Sequence, residues 1–220
     1  MSNLGAFMDL VGMATLETLA MVGLSTLFSL VLGFPLGILL CVTSSNGISP
    51  KPTLNQVLDR VVNVLRSFPF IILMILLFPL SRIIVGTSIG TVATIVPLSV
   101  AAAPFVARII ETALAEVDPG VVQAARVMGS RDREIIFKVL VPEALPSLVS
   151  GVTLTIINLI GYSAMAGAIG GGGLGDLAIR YGYQRFRTDI MIAAVLIILV
   201  LVEVIQFTGT WLSRRLIAKR

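Results

Sequence analysis

The chain has 220 residues, 56% of them hydrophobic and 13% charged, where a soluble domain has about a quarter charged. With a mean hydropathy of +1.01, this balance excludes a water-soluble globule and reads as an all-α polytopic membrane protein. The net charge is +4, with one cysteine and no histidine. No disulfide framework or metal site is therefore expected, and uneven loop charge accounts for the excess without nucleic acid.

Residues 1–17 are mildly apolar, carry Asp9 and Glu17, and read as a short helix along the membrane surface. No Lys or Arg precedes the first apolar run, so the charged start of a signal peptide is not expected. From Thr18 to Pro50 there is no charge at all. About 20 apolar residues cross a bilayer, which places a first span near 18–42, where Gly33, Pro35 and Gly37 allow close packing or a kink. Residues 43–58 are a loop rich in Ser, Asn, Gly and Pro. A second span is expected near 59–79, entered through Asp59, Arg60 and Arg66. After a short turn from Arg82 to Thr87 comes a third, near 89–108. The fourth and fifth fall near 146–168 and 189–211, with a Gly-rich segment between them and a basic tail behind. Residues 1–220 thus read as a single transmembrane domain of about five helices.

A charged, amphipathic island separates the third span from the fourth. Asp118-Pro119 reads as a helix start, Asp as the cap and Pro at the first helical position. Gly129 ends that helix, because the residue after a helix commonly needs a positive φ. Ser130 is expected to cap a second helix, with Asp132 and Glu134 in its first turn, and Pro142 to break or re-aim the chain. Two short helices meeting at a tight Gly between membrane spans suit a grip by another protein. A DNA-binding helix-turn-helix has similar small and apolar positions. Here Asp132, Glu134 and Glu143 interrupt Arg126, Arg131, Arg133 and Lys138, so no phosphate-tracking patch forms.

The island also carries a spacing. Gln123-Ala124-Ala125, Gly129 and Val139-Leu140-Val141-Pro142 resemble the signature of ABC importer permeases. That signature is Glu-Ala-Ala, three residues, Gly, nine residues, then Ile-x-Leu-Pro. Gln123 departs from the acid, and Val139 and Val141 from Ile and Leu. Gly161-Tyr162-Ser163-Ala164-Met165 and the Gly170–Gly175 run look like the methionine-uptake subgroup. So do Asn63-x-x-Arg66-Ser67-x-Pro69-Phe70-Ile71 and the turn Val85–Gly90. The likeness covers most of residues 60–176. It implies the type I importer permease fold with a cytoplasmic coupling helix over about 118–142. It also implies a homodimer in the bacterial inner membrane, two cytoplasmic ATPase subunits holding ATP and Mg, a periplasmic or lipid-anchored binding protein, and methionine as cargo. Gln123, Ala124, Ala125, Gly129 and Pro142 would then meet the ATPase.

Charge sets the orientation. With the N-terminus outside and the C-terminus cytoplasmic, the inner segments hold Lys51, Arg60, Arg66, Arg108, Arg126, Arg131, Arg133, Lys138, Arg214, Arg215, Lys219 and Arg220. The outer ones hold only Arg82, Arg180, Arg185 and Arg187, in keeping with the positive-inside rule. Polar groups inside spans usually face the bundle interior. Asn63, Ser67, Asn158, Tyr162 and Ser163 are thus candidates for lining a path, and Met165 for an apolar constriction; helix packing is the other reading of each. Glu203 is a candidate proton-coupling carboxylate in an alternative, a proton-coupled secondary amino-acid carrier.

Enzyme chemistry finds no foothold. The formal G-x-G-x-x-G within 170–175 follows a membrane span rather than the strand that a dinucleotide site requires, so these glycines read as a tight turn. No P-loop, Ser/His/Asp group or paired-carboxylate pattern occurs. ATP would be hydrolysed by a partner, with no cofactor in this chain.

Overall fold

The computed structural model describes residues 2–218. Every regular element there is helical: α1 (Ser2–Thr43), α2 (Pro52–Ser67), α3 (Phe70–Val85), α4 (Thr91–Ala115), α5 (Pro119–Val127), α6 (Asp132–Glu134), α7 (Val141–Gly167), α8 (Gly173–Leu177) and α9 (Thr188–Ile217). Wider π-helical turns join α6 to α7 over Ile135–Leu140 and extend α8 over Ala178–Tyr183. Four helical stretches are long and apolar enough to cross a membrane, or five if the bent pair α2–α3 counts as one.

The separate surface helix expected over 1–17 is instead continuous with α1. No Pro falls between residues 2 and 17, and Val11 and Ala14 are buried against Leu174, Leu177, Ile190 and Ala194, so tertiary packing carries the helix through. Farther along, α1 lies against α4 at two glycines. A Cβ on Gly33 would sit 2.7 Å from the Ala103 carbonyl oxygen, and one on Gly37 2.6 Å from that of Ala107. Only the missing side chains allow so close an approach.

The helix expected over 59–79 is broken. α2 and α3 meet at 104°, with Phe68 and Pro69 in extended conformation (ψ 134° and 126°). Pro69 disfavours a helical conformation at the residue before it, and α2 stops there. α4 runs on past 108 to Ala115, takes Pro97 and Pro104 in its interior, and is the most deeply buried of the spans.

The break expected at Pro142 is absent. Pro142 falls in the first turn of α7, directly after the π-helical stretch, whose last bond runs from the Val141 N–H to the Ile136 carbonyl. The helix from Asp132 to Gly167 is therefore continuous. At its far end the chain doubles back. A Cβ on Gly175 would lie 2.3 Å from the Ala164 carbonyl oxygen, so α8 packs backbone to backbone on the end of α7.

Candidate functional site

α5 is exposed along most of its length, and its geometry follows from its ends. Asp118 Oδ1 accepts a 2.7 Å hydrogen bond from the Gly120 N–H, and Pro119 occupies the first turn. At the other end Gly129 has φ +82°, and the Ser130 N–H donates to the Ala125 carbonyl at 3.1 Å, which closes the helix. The cap of the next helix is Arg131 rather than the expected Ser130, and its N–H donates to Glu134 Oε2 at 3.1 Å. Because the chain turns at Gly129 in the left-handed region, Ser130 is spent on closing α5.

One side of α5 is held. Ala125 is 3% exposed and belongs to a cluster with Ile110, Leu114, Ile135, Ile136 and Leu140. Arg126 donates to the Ile48 carbonyl at 2.6 Å, which fixes the loop after α1 against the helix. The other side is bare: Gln123, Ala124 and Gly129 are exposed, and a Cβ on Gly129 would meet nothing within 4 Å. Val127 and Met128 stand out at 89% and 78% exposure, and Phe137 at 61%. Of the residues singled out in sequence, Gln123, Ala124 and Gly129 share an open surface, Pro142 is exposed on α7, and Ala125 points inward. Val127, Met128 and Phe137 escaped sequence reading. For Val127 and Met128 the signal is apolar side chains three or four positions from Ala124 or Ala125 in a charged segment; Phe137 has no such neighbour.

The six path candidates separate. Asn63 belongs to a network that pins α2 to α4: its Nδ2 donates to Asp59 Oδ2 at 2.9 Å, and its Oδ1 accepts from Arg108 at 3.0 Å. Arg108 also binds Asp59 at 2.5 Å and Glu111 at 2.6 Å, a compensation that charges on membrane helices require. Ser67 Oγ donates to the Asn63 carbonyl at 2.8 Å in the last turn of α2. Tyr162 stacks on Phe70 with ring centroids 4.0 Å apart and planes 7° apart, seating the start of α3 on α7. Ser163 is buried, and its hydroxyl donates to the Ile160 carbonyl at 2.8 Å. Asn158, half-buried, and Met165, exposed, lie on one stripe of α7 with exposed Leu154, Gly161 and Ala168. Glu203 is exposed on α9 and enters no ion pair among the described residues.

A cavity of about 420 Å³ opens between α4, α7 and α9, with Arg66 and Arg108 among its polar residues. Among the described residues no group of His, Cys, Asp and Glu side chains could hold a metal ion.

Residues 33–218 match the family described as "Binding-protein-dependent transport system inner membrane component". The chain belongs to this family. As a member it is a multi-pass inner-membrane permease component, which its apolar helices fit. It is 50% identical over 207 residues to the "Probable D-methionine transport system permease protein MetI" of Vibrio cholerae, covering 94% of this chain and 92% of that protein. It is 48% identical over 171 residues to the "Methionine import system permease protein MetP" of Bacillus subtilis, covering 78% and 77%. Among solved structures, a chain of "Inward facing conformations of the MetNI methionine ABC transporter" superposes with a TM-score of 0.94 at 45% identity, covering 96% of this chain and 98% of that one. An amino acid ABC transporter crystallised with histidines superposes at 0.78 with 21% identity and supports the fold alone.

Proposed function

We propose that this family member is the membrane-spanning subunit of an ATP-driven methionine importer, working as a homodimer with two separate ATPase subunits and a binding protein. One observation carries the reading. The likeness to permeases named for methionine transport runs nearly end to end, at about half identity.

α5 supplies the mechanics. Its exposed Gln123, Ala124, Val127, Met128 and Gly129 form a surface of small and apolar groups for the ATPase. Its buried side is keyed through Ala125 into α4 and the helix leading to α7. Closure of the ATPases on ATP and Mg would shift α5, and the shift would pass as a rigid movement to α7. The stripe from Leu154 through Asn158 and Gly161 to Met165 would then open or close the path. This reading leaves buried Ser163 out of the path and gives Asn63, bonded to Asp59 and Arg108, a role in joining helices. The excess of Lys and Arg at the α5 end supports a cytoplasmic α5, an external N-terminus and a cytoplasmic C-terminus. Of the residues in that split, Lys219 and Arg220 lie outside the described residues.

The test is uptake of radiolabelled methionine by proteoliposomes holding the permease, its ATPase and its binding protein. Uptake should require ATP and the binding protein and should survive collapse of the proton gradient. Uptake that runs on a proton gradient without ATP, and is lost in Glu203→Gln, would replace this reading with a secondary carrier.

A further inference from the structure

The cavity between α4, α7 and α9 has the size of a small-molecule site, about 420 Å³ against ~300–1,000 Å³ for such pockets. Its two cations differ. Arg108 is committed to Asp59, Glu111 and Asn63. Arg66, at the end of α2, enters no ion pair or side-chain hydrogen bond among the described residues. Its guanidinium is exposed at the end of α2 and is open to an anion.

Glu116 also lines the cavity. It accepts one hydrogen bond, from Ser147 Oγ at 2.6 Å, and no cation pairs with it among the described residues. Phe105, Ile109 and Leu154 add an apolar lining. A guanidinium suits a carboxylate through paired N–H groups, and a carboxylate suits an ammonium.

We infer that this cavity binds a zwitterionic α-amino acid with an apolar side chain. Arg66 takes the carboxylate, Glu116 the ammonium group, and Phe105, Ile109 and Leu154 the side chain. The inference rests on the importer reading and adds to it a stopping place at the α5 end of the path, one per protomer.

Cysteine protection tests it on the assembled complex in nanodiscs, in a Cys41→Ala background. Thr112 lines the cavity and is exposed, so Thr112→Cys should react with a maleimide. Methionine should slow that reaction. N-acetylmethionine and methionine methyl ester, each lacking one of the two charges, should not. Arg66→Gln should raise the half-protecting methionine concentration about ten- to hundredfold, and Arg66→Lys should recover part of the loss. Absence of protection, protection by the methyl ester, or unchanged protection in Arg66→Gln would overturn the site. ATP-driven methionine uptake by the Cys41→Ala parent separates the two readings. Uptake without protection sinks the site and leaves the importer. Protection without ATP-driven uptake sinks the importer and leaves the site. Loss of both removes both.

Discussion

Glu17 Oε2, in the middle of α1, accepts a 2.7 Å hydrogen bond from the backbone N–H of Gly173, at the start of α8. Beside it, Thr18 Oγ1 accepts from the Leu174 N–H at 2.8 Å. Helix starts leave their first N–H groups without partners in the helix, and here the acceptors come from the far end of the sequence. The approach needs glycine, since a Cβ on Gly173 would lie 2.6 Å from Thr18 Oγ1 and φ there is +75°.

Removing both acceptors, by Glu17→Leu with Thr18→Val, should leave two buried donors unsatisfied at about 1–3 kcal/mol each. The melting temperature of the purified complex should fall by several degrees, and sites near 169–183 should become open to protease. Glu17→Gln keeps an acceptor and should change little. A double variant that melts like the parent would show that this contact holds nothing.

Ala124 and Ala125 are neighbours with opposite surroundings. Ala124→Trp should leave dimerisation intact and weaken ATPase association by roughly one to two orders of magnitude, as overpacking a tight contact costs about 1–3 kcal/mol. Ala125→Trp should fail earlier, because that side chain is 3% exposed inside the cluster with Ile135 and Leu140, and should give little folded permease. Gly129→Val should be strained at φ +82°, since β-branched residues avoid that region. Pull-down of the ATPase, with dimer yield as the folding control, reads all three.

Ser163 and Met165 separate in the same way. Ser163→Leu adds bulk where exposure is 2% and should reduce folded protein. Met165→Trp changes a side chain that is 49% exposed and should reduce methionine uptake while leaving assembly at parent levels. Equal uptake by Met165→Trp and the parent would take this residue off the path.

Asp59 and Arg108 join α2 to α4 at 2.5 Å. Asp59→Leu should cost about 1–3 kcal/mol, because Arg108 then keeps only Glu111 and Asn63; Asp59→Asn should cost less. Thermal unfolding in detergent measures both, and adding Arg108→Leu to Asp59→Leu should cost less than the sum of the two single changes.

Orientation is read by thiol labelling of intact cells in a Cys41→Ala background. Cysteines at Asn46 and Ser130 should resist an impermeant reagent, and one at Arg185 should react. Labelling at Ser130 from outside would reverse the topology and remove α5 from reach of any cytoplasmic ATPase.

Composition made the all-helical membrane architecture legible, because uncharged apolar runs of about 20 residues or more cross lipid as helices, which satisfy their own backbone. The turn at Gly129 and the cap at Asp118 were legible for local reasons, as each depends on one residue's own conformation or side chain. What escaped were properties of assembly. Ala125 differs from Ala124 only by about 100° of helix rotation, and which of them faces inward is decided by Ile110, Leu114 and Ile136 from elsewhere in the chain. The break at Pro69 was written in the sequence but outweighed by the apolar run that follows it. The inward turn of Ser163 and the Arg108 network depend on partners that spacing along one helix cannot supply.

The π-helical stretch Ile135–Leu140 makes the helix between α5 and Gly167 a device with one surplus residue in its windings. A π turn arises when a residue is inserted into an α-helix, and each α-helical residue carries about 100° of rotation. Deleting a single residue there would restore α-helical winding and leave the order of the elements unchanged. It would also turn α7 about its own axis relative to α5. The stripe ending at Met165 would swing away from whatever it now faces, while α5 kept its exposed side. In a permease working as proposed, the aim of the gate would be stored in six residues, three of which, Ile135, Ile136 and Leu140, also seat Ala125 of α5.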